Sequence, residues 1–171
     1  MQTDGMARQF DPAAPCSRIP LVPGNATNGE TTLPANYSID PAAGLVRISC
    51  SGVFTNQEMI DCMEQLYRDP ARKSGMPSLI DCREVETMQV TAAGCQAAAT
   101  IEATIVDPVQ APWAVAVVAP QDEVFWIART YEVLRAGSPQ TVRVFRQRAD
   151  AERWLAAFKT MAPLWLLCIG S

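Results

Sequence analysis

The 171-residue chain contains no histidine. That absence removes Ser-His-Asp and Cys-His nucleophilic systems and all histidine metal ligation. It also removes the side chain most often used as a general base near neutral pH. Lysine is almost absent too: Lys73 and Lys159 are the only two, so arginine carries most of the positive charge, which reads as coding bias and not as a site. None of the six cysteines, Cys16, Cys50, Cys62, Cys82, Cys95 and Cys168, belongs to a C-x-x-C pair. Zinc-site spacing is therefore missing, and the thiols read as free, small, buried hydrophobes in a reducing cytosol. No run approaches the ~18 apolar residues of a membrane span. The amino terminus lacks the basic-then-apolar order of a signal peptide. A cytoplasmic location follows as the expectation, with the sequons at Asn25 and Asn36 as chance matches. The formal net charge of −4 gives no electrostatic reason to bind nucleic acid or an anionic membrane. With 49% apolar and 19% charged residues, the composition is that of an ordinary globular chain. These absences together predict a protein that is not an enzyme and holds no cofactor and no metal.

Two short apolar runs are the most informative features present. The first, Ser78-Leu79-Ile80-Asp81-Cys82-Arg83-Glu84-Val85, ends in charge. The second, Trp113-Ala114-Val115-Ala116-Val117-Val118-Ala119, is bracketed by Pro112 and Pro120. Both are too short for helices and read as buried strands of an α/β sheet.

Along the chain, residues 1–36 carry Pro12, Pro15, Pro20, Pro23 and Pro34 without hydrophobic periodicity, the pattern of a flexible leader. Tyr37-Ser38-Ile39, the turn Asp40-Pro41-Ala42-Ala43-Gly44 and the alternating residues 45–51 predict an antiparallel hairpin ended by Gly52. Thr55-Asn56-Gln57-Glu58 is a capping box opening a helix over 56–68. Residues 79–82 form the next strand, reached by a right-handed helical crossover and so parallel to the hairpin's second strand. Thr91 caps a second helix, whose interior of Ala92, Ala93, Gly94, Ala97, Ala98 and Ala99 permits close approach of a neighbour. Residues 115–119 are the most buried strand. Asp122 caps a third helix running to Arg135, with Val124, Ile127, Ala128, Tyr131 and Leu134 inward. Val142, Val144 and Phe145 make a final strand. Ala151, Trp154, Leu155 and Phe158 mark a last amphipathic helix, with Trp154 as its buried anchor. The expected fold is a single α/β domain over 37–158, with a mixed, mostly parallel sheet in the order β-β-α-β-α-β-α-β-α. The apolar tail 159–171 extends the last helix beyond Pro163, folds back on the domain, or covers a partner such as a twin subunit.

The ordered set resembles a known family. Gly52-x-x-Thr55 before the first helix, Leu79-Ile80-Asp81-Cys82-Arg83, Ala114-Val115-Ala116-Val117-Val118, Ala128-Arg129-Thr130-Tyr131-Glu132 and Val144-Phe145-Arg146 with Trp154-Leu155 look like the STAS group, in its SpoIIAA-like bacterial branch. The resemblance covers about residues 37–158. It implies a regulatory or protein-binding module of a bacterial cytosol, of the signalling-antagonist type, and not a catalyst. The branch is also similar in fold to lipid-binding CRAL-TRIO domains, which implies a carrier or sensor of a small apolar, lipid-like ligand as the alternative. In phospho-switched members an Asp-Ser pair opens the helix after the third strand, and the serine is phosphorylated. Val90-Thr91 stands at that place here, without the aspartate. Thr91 is thus a candidate phosphorylation site in a degenerate switch, or a plain helix cap.

Ligands of open α/β sheets usually meet the carboxyl ends of the strands. Asp81, Arg83 and Glu84, with Glu86, should cluster there, with Thr91 just beyond and Arg129 and Glu132 on the third helix. Such a rim would take a partner helix or a polar head group, arginine offering bidentate contact. The plainer reading is a structural Asp81–arginine pair among solvated charges. Acid–base work by Asp81 and Glu84 lacks a substrate groove, and burial of Cys82 beside Arg83 would make that thiol inert. The expected partners are a protein or a second copy of the chain, or a small apolar ligand between the sheet and the helix 91–105.

Overall fold

Parallel strands that each pair with the next in sequence put every same-handed crossover on one face of the sheet. The structure, a computed structural model, has that topology. It describes residues 34–105 and 111–168, and their side chains apart from 105 and 161–168. The leader therefore lies outside the described residues up to position 33, while Ala35 and Asn36 already belong to the first strand.

The elements are β1 (Ala35–Asp40), β2 (Leu45–Thr55), α1 (Asn56–Arg68), β3 (Ser78–Gln89), α2 (Ala92–Ile105), β4 (Trp113–Val118), α3 (Asp122–Leu134), β5 (Gln140–Phe145) and α4 (Arg148–Cys168). The five strands form one sheet in the order β1-β2-β3-β4-β5. β1 and β2 are antiparallel, and the other three pairings are parallel. This is the single α/β domain that the sequence pattern predicts.

Helices α1, α2 and α3 share one face. Cys62 and Leu66 of α1, Cys95 of α2 and Val124 of α3 pack into one core with Val46, Ile48, Val115 and Val117 of the sheet. Helix α4 covers the other face, where Ala151 and Leu155 meet Leu79, Ala114, Ala116 and Val118. β4 is thus covered on both sides, and all six of its residues are buried.

Four local expectations are corrected. Gly52 does not end β2. It takes φ +60° at a register shift, a left-handed backbone that glycine adopts without steric cost, and the strand runs on to Thr55. β3 likewise continues to Gln89, because the lengthened β2 supplies a pairing partner. Asp122 does not cap α3. Gln121 holds the cap position without a side-chain bond, and Asp122 instead pairs with Arg146 at 2.7 Å. Trp154 is half-buried, its ring 5.7 Å from Phe145 and 6.0 Å from Phe158, so its anchoring of α4 is partial. The capping box stands as read, with Glu58 N donating to Thr55 Oγ1 at 3.3 Å and Thr55 N to Glu58 Oε2 at 2.8 Å. Helix α4 continues through Pro163 to Cys168.

Candidate functional site

At the carboxyl side of β3 the chain loses a neighbour. β4 pairs with it only through Ser78, Leu79, Ile80 and Asp81. Beyond that point Arg83, Glu84 and Glu86 face solvent. Asp81 accepts from Arg83 Nε at 2.9 Å and Nη2 at 2.9 Å, and from Arg148 Nη1 at 3.3 Å. Burial raises the Asp81 carboxyl, but the Arg83 hydrogen bonds and the two guanidinium charges outweigh it and hold the group below its ordinary value. Arg148 in turn binds Glu152 at 2.7 Å. The residues expected at this rim do not converge. Glu84 makes no ion pair among the described residues and lines an open cleft with Arg83 and Gln121. Thr91 accepts through Oγ1 from Gly94 N at 3.1 Å and from Asn56 Nδ2 at 3.2 Å, capping α2 and tying it to α1. Arg129 pairs with Glu132 on α3 at 2.6 Å. Among the described residues, no hydrogen bond or ion pair joins these three groups. Cys82 is buried on the face covered by α1–α3 and does not reach the rim.

The opposite end of the sheet holds chemistry of another kind. Glu102, the sole acid of α2, is 3% exposed, and Arg135 after α3 is 5% exposed. Arg135 Nε lies 3.2 Å from Glu102 Oε2 and donates to Gln140 Oε1 at 2.8 Å. Gln140 Nε2 donates to Glu102 Oε1 at 3.1 Å. The hydroxyls of Tyr67 and Tyr131 donate to the two Glu102 oxygens. Burial raises both phenols well above their ordinary range, and the neighbouring Glu102 charge adds to it, so both stay protonated as donors at neutral pH. Every Glu102 lone-pair direction in use has a partner, the condition under which a buried ion pair is tolerated. The cluster is assembled from the carboxyl ends of α1, α2 and α3 and the start of β5.

Between this cluster and the apolar undersides of α1–α3 lies a cavity of about 110 Å³. Its walls are mostly apolar, with Met59, Leu66, Val115, Val117 and Ile127 among them, and Glu102, Gln140 and Arg72 supply polar groups. Four thiols, Cys50, Cys62, Cys82 and Cys95, also line it and are free. Burial pushes Cys62 up to about 11 and raises Cys95, and hydrogen bonding to Cys82 followed by burial raises Cys50. Cys50, Cys62 and Cys95 therefore stay protonated at neutral pH. Among the described residues no cluster of three or more metal-ligating side chains occurs.

The sequence reading missed Glu102, Arg135, Gln140, Tyr67 and Arg72 as site residues. One signal was available: Glu102 falls at helical spacing on the same stripe as Cys95, Ala98 and Ala99, where an acid must be paired if that stripe is buried.

No protein-family profile and no curated protein matches the sequence. Among solved structures the chain is similar to an uncharacterized protein of the DUF3478 family from Shewanella loihica PV-4, described as having a SpoIIAA-like fold. The identity is 17%, covering 77% of this chain and 99% of that one, with a TM-score of 0.46. Among the described residues, no helix is long and apolar enough to cross a membrane.

Proposed function

We propose that the chain is a non-catalytic binding module whose ligand is a small, largely apolar molecule held between the sheet and helices α1–α3. The observation that carries this reading is the cavity of about 110 Å³ with apolar walls and one polar end. Small-molecule sites have this composition, with a few placed polar groups that set orientation. The size narrows the ligand. An apolar cavity of ~150 Å³ admits benzene, so the space here suits a short branched chain or a small ring and not an acyl chain of lipid length. The test is saturable binding of isobutanol or xenon followed by NMR. Ala128→Leu, which fills the cavity, should abolish that binding while the protein stays folded. Absence of saturable binding by the unsubstituted protein contradicts the reading.

A second reading, a protein-binding regulatory module with a switch at Thr91, draws support from one observation. Thr91 is exposed, and its hydroxyl bridges α1 and α2 through Asn56. A phosphate on that oxygen would compete with the bridge at a helix start that favours negative charge. Thr91→Glu should then alter binding of a co-purifying protein while Thr91→Ala does not; identical behaviour of the two variants speaks against it.

A further inference from the structure

Arg72 is the cation that the buried cluster does not use. It sits in the loop between α1 and β3, half-buried, and lines the cavity. Its guanidinium carbon lies 4.5 Å from the Tyr67 ring centroid and 5.8 Å from that of Trp113, which is itself 1% exposed. The Arg72 Nε is buried and donates to nothing. Among the described residues no carboxylate pairs with it: Glu102 pairs with Arg135, and Asp69 accepts from Tyr37. A guanidinium does not shed its proton, so a buried N–H on it stays a donor without an acceptor. The two aromatic rings hold the guanidinium by cation–π contact, and neither supplies an acceptor for the Nε–H.

We infer that Arg72 is the head-group contact of the cavity and that the ligand is a monocarboxylate of about four to six carbons, an inference resting on the cavity being a ligand site. A planar carboxylate matches the guanidinium edge with two parallel hydrogen bonds. One unmatched positive charge calls for one negative charge, which favours a carboxylate over a phosphate dianion. The branched or short chain then occupies the apolar space beneath α1–α3.

Isothermal titration calorimetry with isovalerate and its neutral isostere isovaleramide tests this at neutral pH. The acid should bind at least about tenfold tighter than the amide. Arg72→Met keeps the stem over Tyr67 and Trp113, and should bring the affinities of acid and amide to within about threefold of each other; Arg72→Lys should restore part of the preference. Circular dichroism on each variant checks that it is folded. Equal binding of acid and amide, or a preference that survives Arg72→Met, overturns the assignment of Arg72 and leaves the cavity reading standing. Binding of neither compound overturns the cavity reading and this inference with it.

Discussion

Asp81 at the carboxyl side of the sheet meets two arginines whose side chains are 47% and 41% exposed, whereas Glu102 at the amino side meets one that is 5% exposed. Each acid is fully engaged. Around Asp81, however, water competes for every partner, so the charges solvate one another cheaply and little is lost when one leaves. Glu102 and Arg135 are nearly sealed from solvent, so bulk water cannot readily replace a lost partner. Removing Glu102 takes a partner at once from a guanidinium, an amide and two phenols. The contrast shows that a strand-end rule locates charge but not chemical consequence. The consequential polar groups lie where helix ends close over the start of β4 and β5.

The largest effect should come from Glu102→Ala, which leaves Arg135 buried and unpaired, at a cost of about 3–5 kcal/mol in urea denaturation. Asp81→Ala should cost no more than about 1 kcal/mol. Similar losses from the two would erase the distinction between the ends. A second, smaller effect concerns the tie between α1 and α2. A Cβ on Gly94 would lie 1.8 Å from Asn56 Oδ1, so Gly94→Ala must expel the side chain that accepts from Thr91 N at 2.9 Å. A loss of about 1–2 kcal/mol is expected, set against the better helix propensity of alanine. In an Asn56→Ala background the same change should become neutral or stabilising by about 0.5–1 kcal/mol, which a double-mutant cycle measures.

The two ends should also respond to opposite extremes of pH. Burial holds the Cys62 thiol at about 11 against an ordinary value of 9.0, and Tyr67 and Tyr131 are raised as well. The folded state keeps protons that the unfolded chain has already released, so stability falls as pH climbs from about 9 towards 11. Cys62→Ala should flatten part of that fall in pH-dependent chemical denaturation. The smallest effect is at the rim. Asp81 is lowered in the fold, so its contribution is present above the unfolded carboxyl value and is lost as pH falls through the folded one. Asp81→Asn should remove that acid-limb slope and leave the alkaline limb untouched.

Periodicity and punctuation made the architecture readable. The capping box at Thr55, the proline brackets around β4 and the small-residue helix after Thr91 each state a local preference that the tertiary fold also satisfies. Strand lengths were less readable, because β2 and β3 extend by pairing with each other past Gly52 and Asp81, a mutual choice that neither segment shows alone. The rim was half readable: Asp81 and Arg83 are near in sequence, but Arg148, which completes the pair, comes from the far end of the chain. The buried cluster was least readable. Tyr67 and Tyr131 look like ordinary inward positions of amphipathic helices, Arg135 looks like a helix end, and Gln140 looks like a loop residue. Their meaning depends on three helix ends meeting at one point, which only the packing of α1, α2 and α3 on one face brings about.

Amide and side-chain NMR shifts on titrating isobutanol into the full chain test the location of the site most directly. Saturable shifts are expected at the Trp113 indole N–H and the Gln140 side-chain amide, with the exposed rim residues Arg83, Glu84 and Glu86 unmoved. Shifts centred on Arg83 and Glu84, or no saturable shift anywhere, would contradict it.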